Sequence, residues 1–480
     1  MKILNYINGS LVEPIGGDWL DNINPATGQK YGVLPDSRAV DIQEAVKAAS
    51  AAFPEWSALT QTQRSNYLLK IADLIEANKD RLALAETNDN GKPLSLSQRM
   101  DIPRAADNFR FYATAALHLH SETYDMGEAG FNYVLNKPIG VAGLISPWNL
   151  PLYLFTWKIA PALAVGNTVV AKPSEITPAT AFLLAELAIE AELPPGVLNI
   201  VFGTGVHAGQ ALVENPHVPV ISFTGGTETG KTLAKTAAPM FKKLSLELGG
   251  KNPNIIFADC DYDLMLKTTV ASSFTNQGQI CLCGSRILVE KSLYSRFLSD
   301  FSQQVSAMKV GDPLEKETRV GAIVSQAQYE KVLQYLSLAR EEGGKIETGG
   351  KPLYDVNERC AKGWFIAPTI ITGLGPECRT NQEEIFGPVV TIQSFENEEE
   401  ALALANDSKY GLSATVWTND LKRAHRVSAK IESGIIWVNC WLVRDLRTPF
   451  GGMKASGIGR EGGFEALKFF TETRNICIQL

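Results

Sequence analysis

Three separated segments of the sequence contain side chains that could act together in covalent catalysis. Cys281 lies between a Gly-Gln turn signal and an apolar run typical of a β-strand, so we expect it on a loop at the mouth of a sheet. Glu247 stands between two leucines just before a glycine pair, and Asn149 lies in a turn framed by prolines. These side chains supply a nucleophile, a base and a hydrogen-bond donor for an oxyanion.

Each of these residues also has a structural interpretation. Cysteine is among the residue types most often buried, so Cys281 could be a packed thiol. Glu247 could belong to a buried ion pair at the end of a strand. Cys281 and Cys283 could form half of a metal site, but no second Cys or His pair lies nearby in the sequence, so we expect no metal.

The motifs resemble those of the NAD(P)-dependent aldehyde dehydrogenases. The resemblance extends from segments 7–9 and 24–28 to segment 457–462, so it covers nearly the whole chain. It implies that the Cys281 thiolate attacks an aldehyde while the Asn149 amide and the Cys281 backbone N–H hold the oxyanion. Hydride then leaves for the nicotinamide, and Glu247 activates water to hydrolyse the thioester. Lys158 and Glu461 resemble a proton relay of the family.

The resemblance also implies an NAD site at strand ends and helix starts. Its residues would be Ile145, Ser146, Pro147, Trp148, Lys172, Ser174, Glu175, Gly205, Gly209, Phe223, Thr224, Gly225, Gly226, Thr227, Leu248, Gly249, Glu384 and Phe386. Lys172 and Glu175 resemble the residues that hold the adenosine ribose. An acidic Glu175 would repel a 2'-phosphate, so we expect NAD rather than NADP; a plain surface salt bridge at Glu175 would remove that preference.

A competing nucleotide motif overlaps this site. Segment 225–232 fits the P-loop pattern, follows a predicted strand and opens a predicted helix, and segment 255–259 offers a strand ending in an acid. A P-loop NTPase would give no role to Cys281, Glu247 or Asn149, so it is the second interpretation. The family usually has serine at the position of Gly226, and we expect backbone N–H groups to replace that contact. Lys231 is then a solvated helix residue.

Two arginines indicate an anionic substrate. Arg444 precedes a Pro-Phe-Gly-Gly turn and Arg104 lies upstream, and arginine binds a planar carboxylate through two parallel hydrogen bonds. Both segments resemble the branch of the family that oxidises 2-aminomuconic and 2-hydroxymuconic semialdehydes in tryptophan or aromatic-ring degradation. Alternatively, Arg104 pairs with Asp101 or Asp107 along its helix, and Arg444 pairs with Asp445 or lies at the surface. The enzyme would then accept neutral aldehydes broadly.

The segments around these residues predict an α/β fold. Strands at 141–145, 168–171, 197–201 and 218–223 alternate with helices at 154–165, 179–191, 207–214 and 228–237, which is typical of a doubly wound parallel sheet. A longer helix is predicted over 65–84. We expect an NAD-binding domain at 1–120 and 139–249, a catalytic domain at 250–450 and, by resemblance, an oligomerisation arm at 121–138 and 465–480. Exposed strands in such an arm imply a homodimer or homotetramer.

Composition narrows the function classes. The 480 residues are 45% hydrophobic and 20% charged with a net charge of -7, as in globular enzymes, and a basic stripe for nucleic acid is missing from the sequence. Apolar runs are too short to span a membrane, so we expect a cytoplasmic protein. The seven cysteines are scattered, which favours reduced thiols. A structural protein that kept the fold is a third possibility, but it predicts lost active-site residues.

Overall fold

The computed structural model describes residues 1–479. Its helices are α1 (Ala39–Ala58), α2 (Gln61–Ala77), α3 (Lys79–Asn90), α4 (Leu94–Leu96), α5 (Ile102–Ala115), α6 (Pro151–Ala164), α7 (Ala179–Glu190), α8 (Gln210–Glu214), α9 (Thr227–Ala237), α10 (Tyr262–Phe274), α11 (Lys291–Ser306), α12 (Gln326–Glu341), α13 (Arg379–Gln382), α14 (Glu398–Asn406), α15 (Leu421–Ser428) and α16 (Gly463–Phe469).

The strands are mostly short. They are β1 (Asn5–Ile7), β2 (Ser10–Val12), β3 (Trp19–Asn24), β4 (Gln29–Pro35), β5 (Thr123–Asp125), β6 (Phe131–Pro138), β7 (Val141–Ile145), β8 (Thr168–Lys172), β9 (Leu198–Ile200), β10 (Val220–Thr224), β11 (Lys243–Glu247), β12 (Pro253–Ile256), β13 (Arg286–Glu290), β14 (Lys345–Thr348), β15 (Pro352–Leu353), β16 (Phe365–Ile366), β17 (Thr369–Thr372), β18 (Val389–Phe395), β19 (Tyr410–Gly411), β20 (Ser413–Trp417), β21 (Ile435–Val438), β22 (Met453–Lys454), β23 (Gly457–Ile458) and β24 (Thr471–Ile478).

The first large sheet confirms the predicted parallel, doubly wound pattern. Its order is β2-β1-β9-β8-β7-β10-β11-β23, and the neighbours from β9 to β11 run parallel. All residues of β7 and β8 are buried, as expected for strands covered by helices on both faces. The carboxyl ends of β7, β8, β10 and β11 therefore meet at one edge of the sheet, where open α/β sheets bind ligands.

A second α/β sheet follows in the chain. Its order is β14-β17-β18-β13-β12-β20-β21, and every neighbouring pair except β14 with β17 is parallel. The two sheets are joined within the chain by the segment between β11 and β12, which begins directly after Glu247. Glu247 thus lies where one sheet ends and the other begins.

A third, small sheet stands apart from both. Strand β24 pairs with β6 from Thr471 with Pro138 to Ile478 with Phe131, and β5 extends β6 on its other side. Most side chains of β24 and β5 are exposed. The expected domain boundaries and the oligomerisation role of this sheet stay predictions.

The helix predicted over 65–84 is wrong, because two helices occupy this stretch. Helix α2 ends at Ala77 and α3 begins at Lys79. Between them, Asn78 has non-helical dihedral angles, and its side-chain amide donates a hydrogen bond to the carbonyl of Leu74 at 2.9 Å. Apolar residues are buried on both sides of the break, including Ile75 on α2 and Leu82 on α3, so the apolar pattern continued across it.

Two further features of the structure concern membrane-spanning helices and the cysteines. Within the described residues, no helix combines the length and apolar character that a membrane span requires. All seven cysteines are free.

Candidate active site

An unusual backbone turn positions Cys281. Three consecutive residues before it, Asn276, Gln277 and Gly278, adopt left-handed φ angles of 52°, 56° and 69°. A Cβ at Gly278 would lie 2.1 Å from the carbonyl oxygen of Gly387, so only glycine fits there. This turn reverses the chain after α10 and places Cys281 on the loop before β13, as the sequence predicts.

Side chains from elsewhere fix the loop around the thiol. The Asn252 amide donates to the carbonyls of Cys281 at 2.7 Å and Cys283 at 2.9 Å, and the Trp441 indole donates to that of Leu282 at 3.0 Å. Within residues 1–479, the N–H of Cys281 donates to no other group. Burial, followed by the Glu247 and Glu384 carboxylates, raises the pKa of the half-buried Cys281 thiol. These surroundings therefore favour the protonated thiol over the thiolate.

Asn149 lies between β7 and α6 and contacts the same loop. Its side-chain amide donates to the carbonyl of Gln279 at 3.0 Å, which leaves one N–H for another acceptor. Its carbonyl oxygen Oδ1 is buried and has no partner in the part of the chain that the structure describes. Asn149 and Cys281 line one cavity, so the amide and the Cys281 N–H can both approach an oxyanion there.

Glu247 ends β11 as a buried carboxylate without an ion-pair partner among the described residues. It is 4% exposed, and its Oε1 has no hydrogen bond there. Burial and the nearby Glu461 raise the pKa of Glu247, while the Lys158, Arg460 and Arg444 charges oppose that rise. A carboxylate with a raised pKa and a free oxygen is suited to general-base chemistry near neutral pH.

The predicted pair Lys158 and Glu461 is in direct contact. The Lys158 ammonium, on α6, donates to Glu461 at 2.6 Å and to the Ser222 hydroxyl at 2.8 Å, and Ser222 donates to the same carboxylate at 3.0 Å. All three side chains are buried. Ser222 was missed from the sequence, because a serine inside a strand is an ordinary residue.

The predicted cofactor residues fall into two groups. One group lines a cavity of about 200 Å³ together with Asn149 and Cys281: Pro147, Trp148, Thr224, Gly225, Gly226, Leu248, Gly249, Glu384 and Phe386. Ile145, Ser146, Phe223 and Thr227 are their buried chain neighbours. Trp148 and Phe386 meet edge to face with ring centroids 5.2 Å apart. The cavity therefore lies between residues that follow strands of the first sheet and Glu384 and Phe386, which precede β18 of the second sheet.

The Glu384 carboxylate lies against the backbone of two glycines, Gly249 and Gly250, which leave room for it. Its Oε1 accepts from the N–H of Gly250 at 2.9 Å, and a Cβ at Gly249 would lie 2.4 Å from its Oε2. Gln328 and Lys331, both on α12, complete the cavity but were missed from the sequence. They are ordinary polar residues of an amphipathic helix, so no motif marks them.

The second group does not line that cavity: three of its residues lie at the end of β8 or just after it, and its two glycines lie in the helical turn after β9. It consists of Lys172, Ser174, Glu175, Gly205 and Gly209. Lys172 donates to Glu175 at 2.8 Å, and a Cβ at Gly209 would lie 3.9 Å from the Lys172 side chain. At Gly205 an added Cβ would meet no described atom within 4 Å.

Of the two predicted substrate arginines, Arg444 reaches the reactive centre. It lines a second cavity with Cys281, Glu247 and Glu461, donates to the Tyr153 hydroxyl at 2.8 Å and lies 4.1 Å from the Phe450 ring centroid. Asp445 binds Arg447 instead, so the alternative pairing with Arg444 does not form.

Arg104 lies close to Tyr153, which lines this cavity. Its guanidinium is 5.6 Å from the centroid of the Tyr153 ring, and it does not belong to the lining residues. Asp101, its alternative partner, accepts a hydrogen bond from Lys92 at 3.0 Å. The remaining lining is mainly apolar and includes Met100, Leu150, Leu154, Leu442 and Phe450.

The P-loop interpretation of segment 225–232 is wrong. Helix α9 begins at Thr227, so only Gly225 and Gly226 separate it from β10, and two residues are too few to surround a phosphate. Lys231 is exposed and pairs with Glu228 at 2.8 Å. Asp259, the acid after β12, follows a strand of the other large sheet and accepts from Thr418 and Arg423.

Known proteins are similar to this chain in both sequence and fold. The model of the aldehyde dehydrogenase family matches residues 12–476. A 2-aminomuconic semialdehyde dehydrogenase of Danio rerio is 51% identical over 99% of this chain and 98% of its own length. A 2-hydroxymuconic semialdehyde dehydrogenase of Pseudomonas sp. strain CF600 is 44% identical over 100% of both chains.

A solved structure agrees with these relatives. The NAD+ complex of an aldehyde dehydrogenase from Bacillus cereus superposes with a TM-score of 0.97 at 38% identity, over 100% of this chain and 97% of that chain. Cys281 lines both cavities, Asn149 lines the first and Glu247 lines the second. With this arrangement and a family match over nearly all residues, the chain belongs to the aldehyde dehydrogenase family.

Proposed function

We propose that the protein oxidises a carboxylate-bearing semialdehyde to the corresponding acid with NAD, and that the substrate belongs to the 2-aminomuconic or 2-hydroxymuconic class. The observation that supports this substrate is the position of Arg444 in the cavity that also contains Cys281 and Glu247. Relatives named for these semialdehydes match at 44–51% identity over at least 99% of the chain. Their names also favour a role in tryptophan or aromatic-ring degradation.

The reaction would begin at Cys281. Its sulfur loses a proton and bonds to the aldehyde carbon, and the former carbonyl oxygen becomes an oxyanion held by the Asn149 amide and the Cys281 N–H. When the carbonyl re-forms, the C–H bond breaks and a thioester remains on Cys281. NAD, when bound, supplies the acceptor for the departing hydride.

Hydrolysis would depend on Glu247. Its carboxylate takes a proton from water, the resulting hydroxide attacks the thioester carbon, and the C–S bond breaks to give a carboxylic acid and the Cys281 thiolate. The acid passes its proton to the thiolate and leaves as the carboxylate. Glu461, Lys158 and Ser222 then move the proton away from Glu247, because they form one hydrogen-bonded group next to it.

The first cavity fits the nicotinamide half of NAD. The hydroxyl of Thr224, which lines this cavity, is buried and has no partner among residues 1–479, so it is available to a ligand. Gly226 precedes α9 without a side-chain cap, and a Cβ there would meet no described atom within 4 Å, which leaves space for a phosphate at the helix start. Glu384 would hold the nicotinamide ribose.

The second group fits the adenosine ribose. Lys172 and Glu175 form a partly buried pair at the end of β8, where one donor and one acceptor can bind a ribose diol. The Glu175 carboxylate would repel a 2'-phosphate, which supports NAD over NADP.

The small sheet supports an oligomer. Strands β5 and β24 expose most of their side chains and are its two edges, while β6 between them is mostly half-buried. Since exposed edges invite pairing with another chain, we propose that this sheet joins subunits in a homodimer or homotetramer.

NADH formation tests the proposal. A muconic semialdehyde and a neutral aldehyde of similar length are compared with the intact protein and with Cys281→Ala. Turnover of the semialdehyde alone, lost in Cys281→Ala, is the expected result. Equal turnover of both aldehydes would favour the second candidate, a broad-specificity enzyme, which the apolar lining of the Arg444 cavity permits. Turnover that survives in Cys281→Ala would overturn the mechanism.

A further inference from the structure

The carbonyl of Asn149 accepts an unusual set of donors. The Lys92 ammonium lies 3.1 Å from this oxygen, the Asn276 amide 2.9 Å and the Asn90 amide 3.3 Å. Because the oxygen belongs to the peptide that follows the Asn149 side chain, these donors restrict the backbone on which the oxyanion amide is mounted. Asn276 belongs to the turn before Cys281, so the same oxygen also links Asn149 to the nucleophile loop.

Lys92 is the only charged member of this set. Its side chain is fully buried, and its other partners are the buried carboxylates Asp101 at 3.0 Å and Glu86 at 3.4 Å. Glu86 in turn accepts from the N–H of Leu152 at 3.3 Å, in the first turn of α6. The cluster therefore holds Asn149 and the start of the helix that contains Lys158.

A local turn explains how Lys92 reaches this position. Helix α3 ends at Asn90, and Gly91 follows with a left-handed φ of 82°. A Cβ at Gly91 would lie 2.7 Å from the carbonyl oxygen of Ala322, so a larger residue does not fit. Asn90 and Lys92, on either side of the glycine, both donate to backbone carbonyls in segment 148–149.

Stability alone does not account for a buried lysine here. Burying a charged group is costly, and replacing a buried ion pair by apolar residues is often neutral or stabilising. Its position against the Asn149 carbonyl gives the lysine a second role. Resting on the oxyanion role proposed above for Asn149, we infer that Lys92 is a positioning residue, which orients the Asn149 amide toward the oxyanion through the backbone carbonyl of the same residue.

A double-mutant cycle separates positioning from stability. We expect Lys92→Met to lower kcat by on the order of tenfold to a hundredfold, because a small displacement of a catalytic group costs about that much. KM and the Kd of NAD should change less than about threefold. In an Asn149→Ala background the same substitution should change kcat less than about twofold, because the amide that it orients is already gone.

Companion variants keep the test decisive if Lys92→Met does not fold. Lys92→Met combined with Asp101→Asn removes one carboxylate that would otherwise lose its cation, and Lys92→Arg keeps the charge and should recover part of kcat. The matched control is Arg286→Met, because Arg286 is also buried but donates to the carbonyls of Lys251, Leu404 and Ala405. Its effect should be the same in both backgrounds.

Two outcomes would contradict the inference, and they differ in whether the oxyanion role of Asn149 also fails. If Asn149→Ala lowers kcat strongly and Lys92→Met lowers it further by the same factor, Lys92 acts on stability alone and the inference is overturned, while the role of Asn149 stands. If Asn149→Ala retains the kcat of the intact enzyme, the oxyanion role fails and the inference fails with it.

Discussion

Arg444 donates a hydrogen bond to the Tyr153 hydroxyl at 2.8 Å, inside the cavity that also contains Cys281. The Phe450 and Trp157 rings lie against the same guanidinium, with centroids 4.1 Å and 5.2 Å from its carbon. An arginine held by a hydroxyl and two rings keeps one orientation, so part of the entropic cost of binding a carboxylate is already met.

Removal of this guanidinium should weaken binding of the anionic substrate selectively. Arg444→Ala is expected to raise KM for the semialdehyde by about tenfold to a hundredfold, the usual effect of losing a hydrogen bond to a charged group. KM for a neutral aldehyde should change less than about threefold. Arg447→Ala is the control, because Arg447 is exposed and pairs with Asp445. Equal changes for both substrates would make Arg444 structural.

Substitution of Glu247 should separate hydride release from hydrolysis. In Glu247→Gln the thioester forms but water lacks its base, so we expect a burst of about one NADH per site followed by a steady state reduced by roughly a hundredfold or more. Stopped-flow absorbance measures both phases. Added hydroxylamine, a nucleophile that needs no base, should restore part of the steady rate. Uniformly slow kinetics without a burst would assign Glu247 to an earlier step.

The reactivity of Cys281 should depend on pH in a direction that the site determines. Burial and the Glu247 carboxylate raise the pKa of this thiol, so the thiolate fraction increases as pH rises. Alkylation by iodoacetamide should therefore accelerate with pH. In Glu247→Gln the opposing negative charge is absent, the pKa of Cys281 falls, and the rising limb should move to lower pH. A move to higher pH would contradict this account.

Substitution of Glu175 should weaken the preference for NAD over NADP. Glu175→Gln removes the charge that would face a 2'-phosphate, so the ratio of kcat/KM for NADP to that for NAD should rise at least about tenfold. Glu186→Gln serves as the control, because Glu186 pairs with Arg81 and lies on α7. An unchanged ratio would mean that the pair of Lys172 and Glu175 has only a structural role.

The parts of this protein that the sequence predicts best are local ones. The strand 141–145 matches β7 at both ends, and the Cys281 loop precedes β13 as expected, because apolar strands and turn residues lie side by side in the sequence. The break at Asn78 left no such signal, since both flanking helices keep an apolar face.

Long-range relationships were harder to predict. Lys158 and Glu461 are 303 residues apart and meet only through the folded chain, so a family resemblance suggested the pair but residue spacing could not. Arg104 has the residue type of a carboxylate ligand and lies 5.6 Å from the Tyr153 ring centroid, but it is not among the residues that line the cavity. Gln328 and Lys331 reach the cofactor cavity from α12, and their neighbours in the sequence gave no indication of it.

The position of β23 has a consequence for biosynthesis. This strand, at Gly457–Ile458, pairs with β11 at the edge of the first sheet, and Glu461 follows it directly. Ribosomes synthesise from the N-terminus, so β11 and Glu247 emerge long before the strand that pairs with β11. Until then the nascent chain exposes the β11 edge and lacks Glu461, so the buried pair of Lys158 and Glu461 can form only in the last stage of translation.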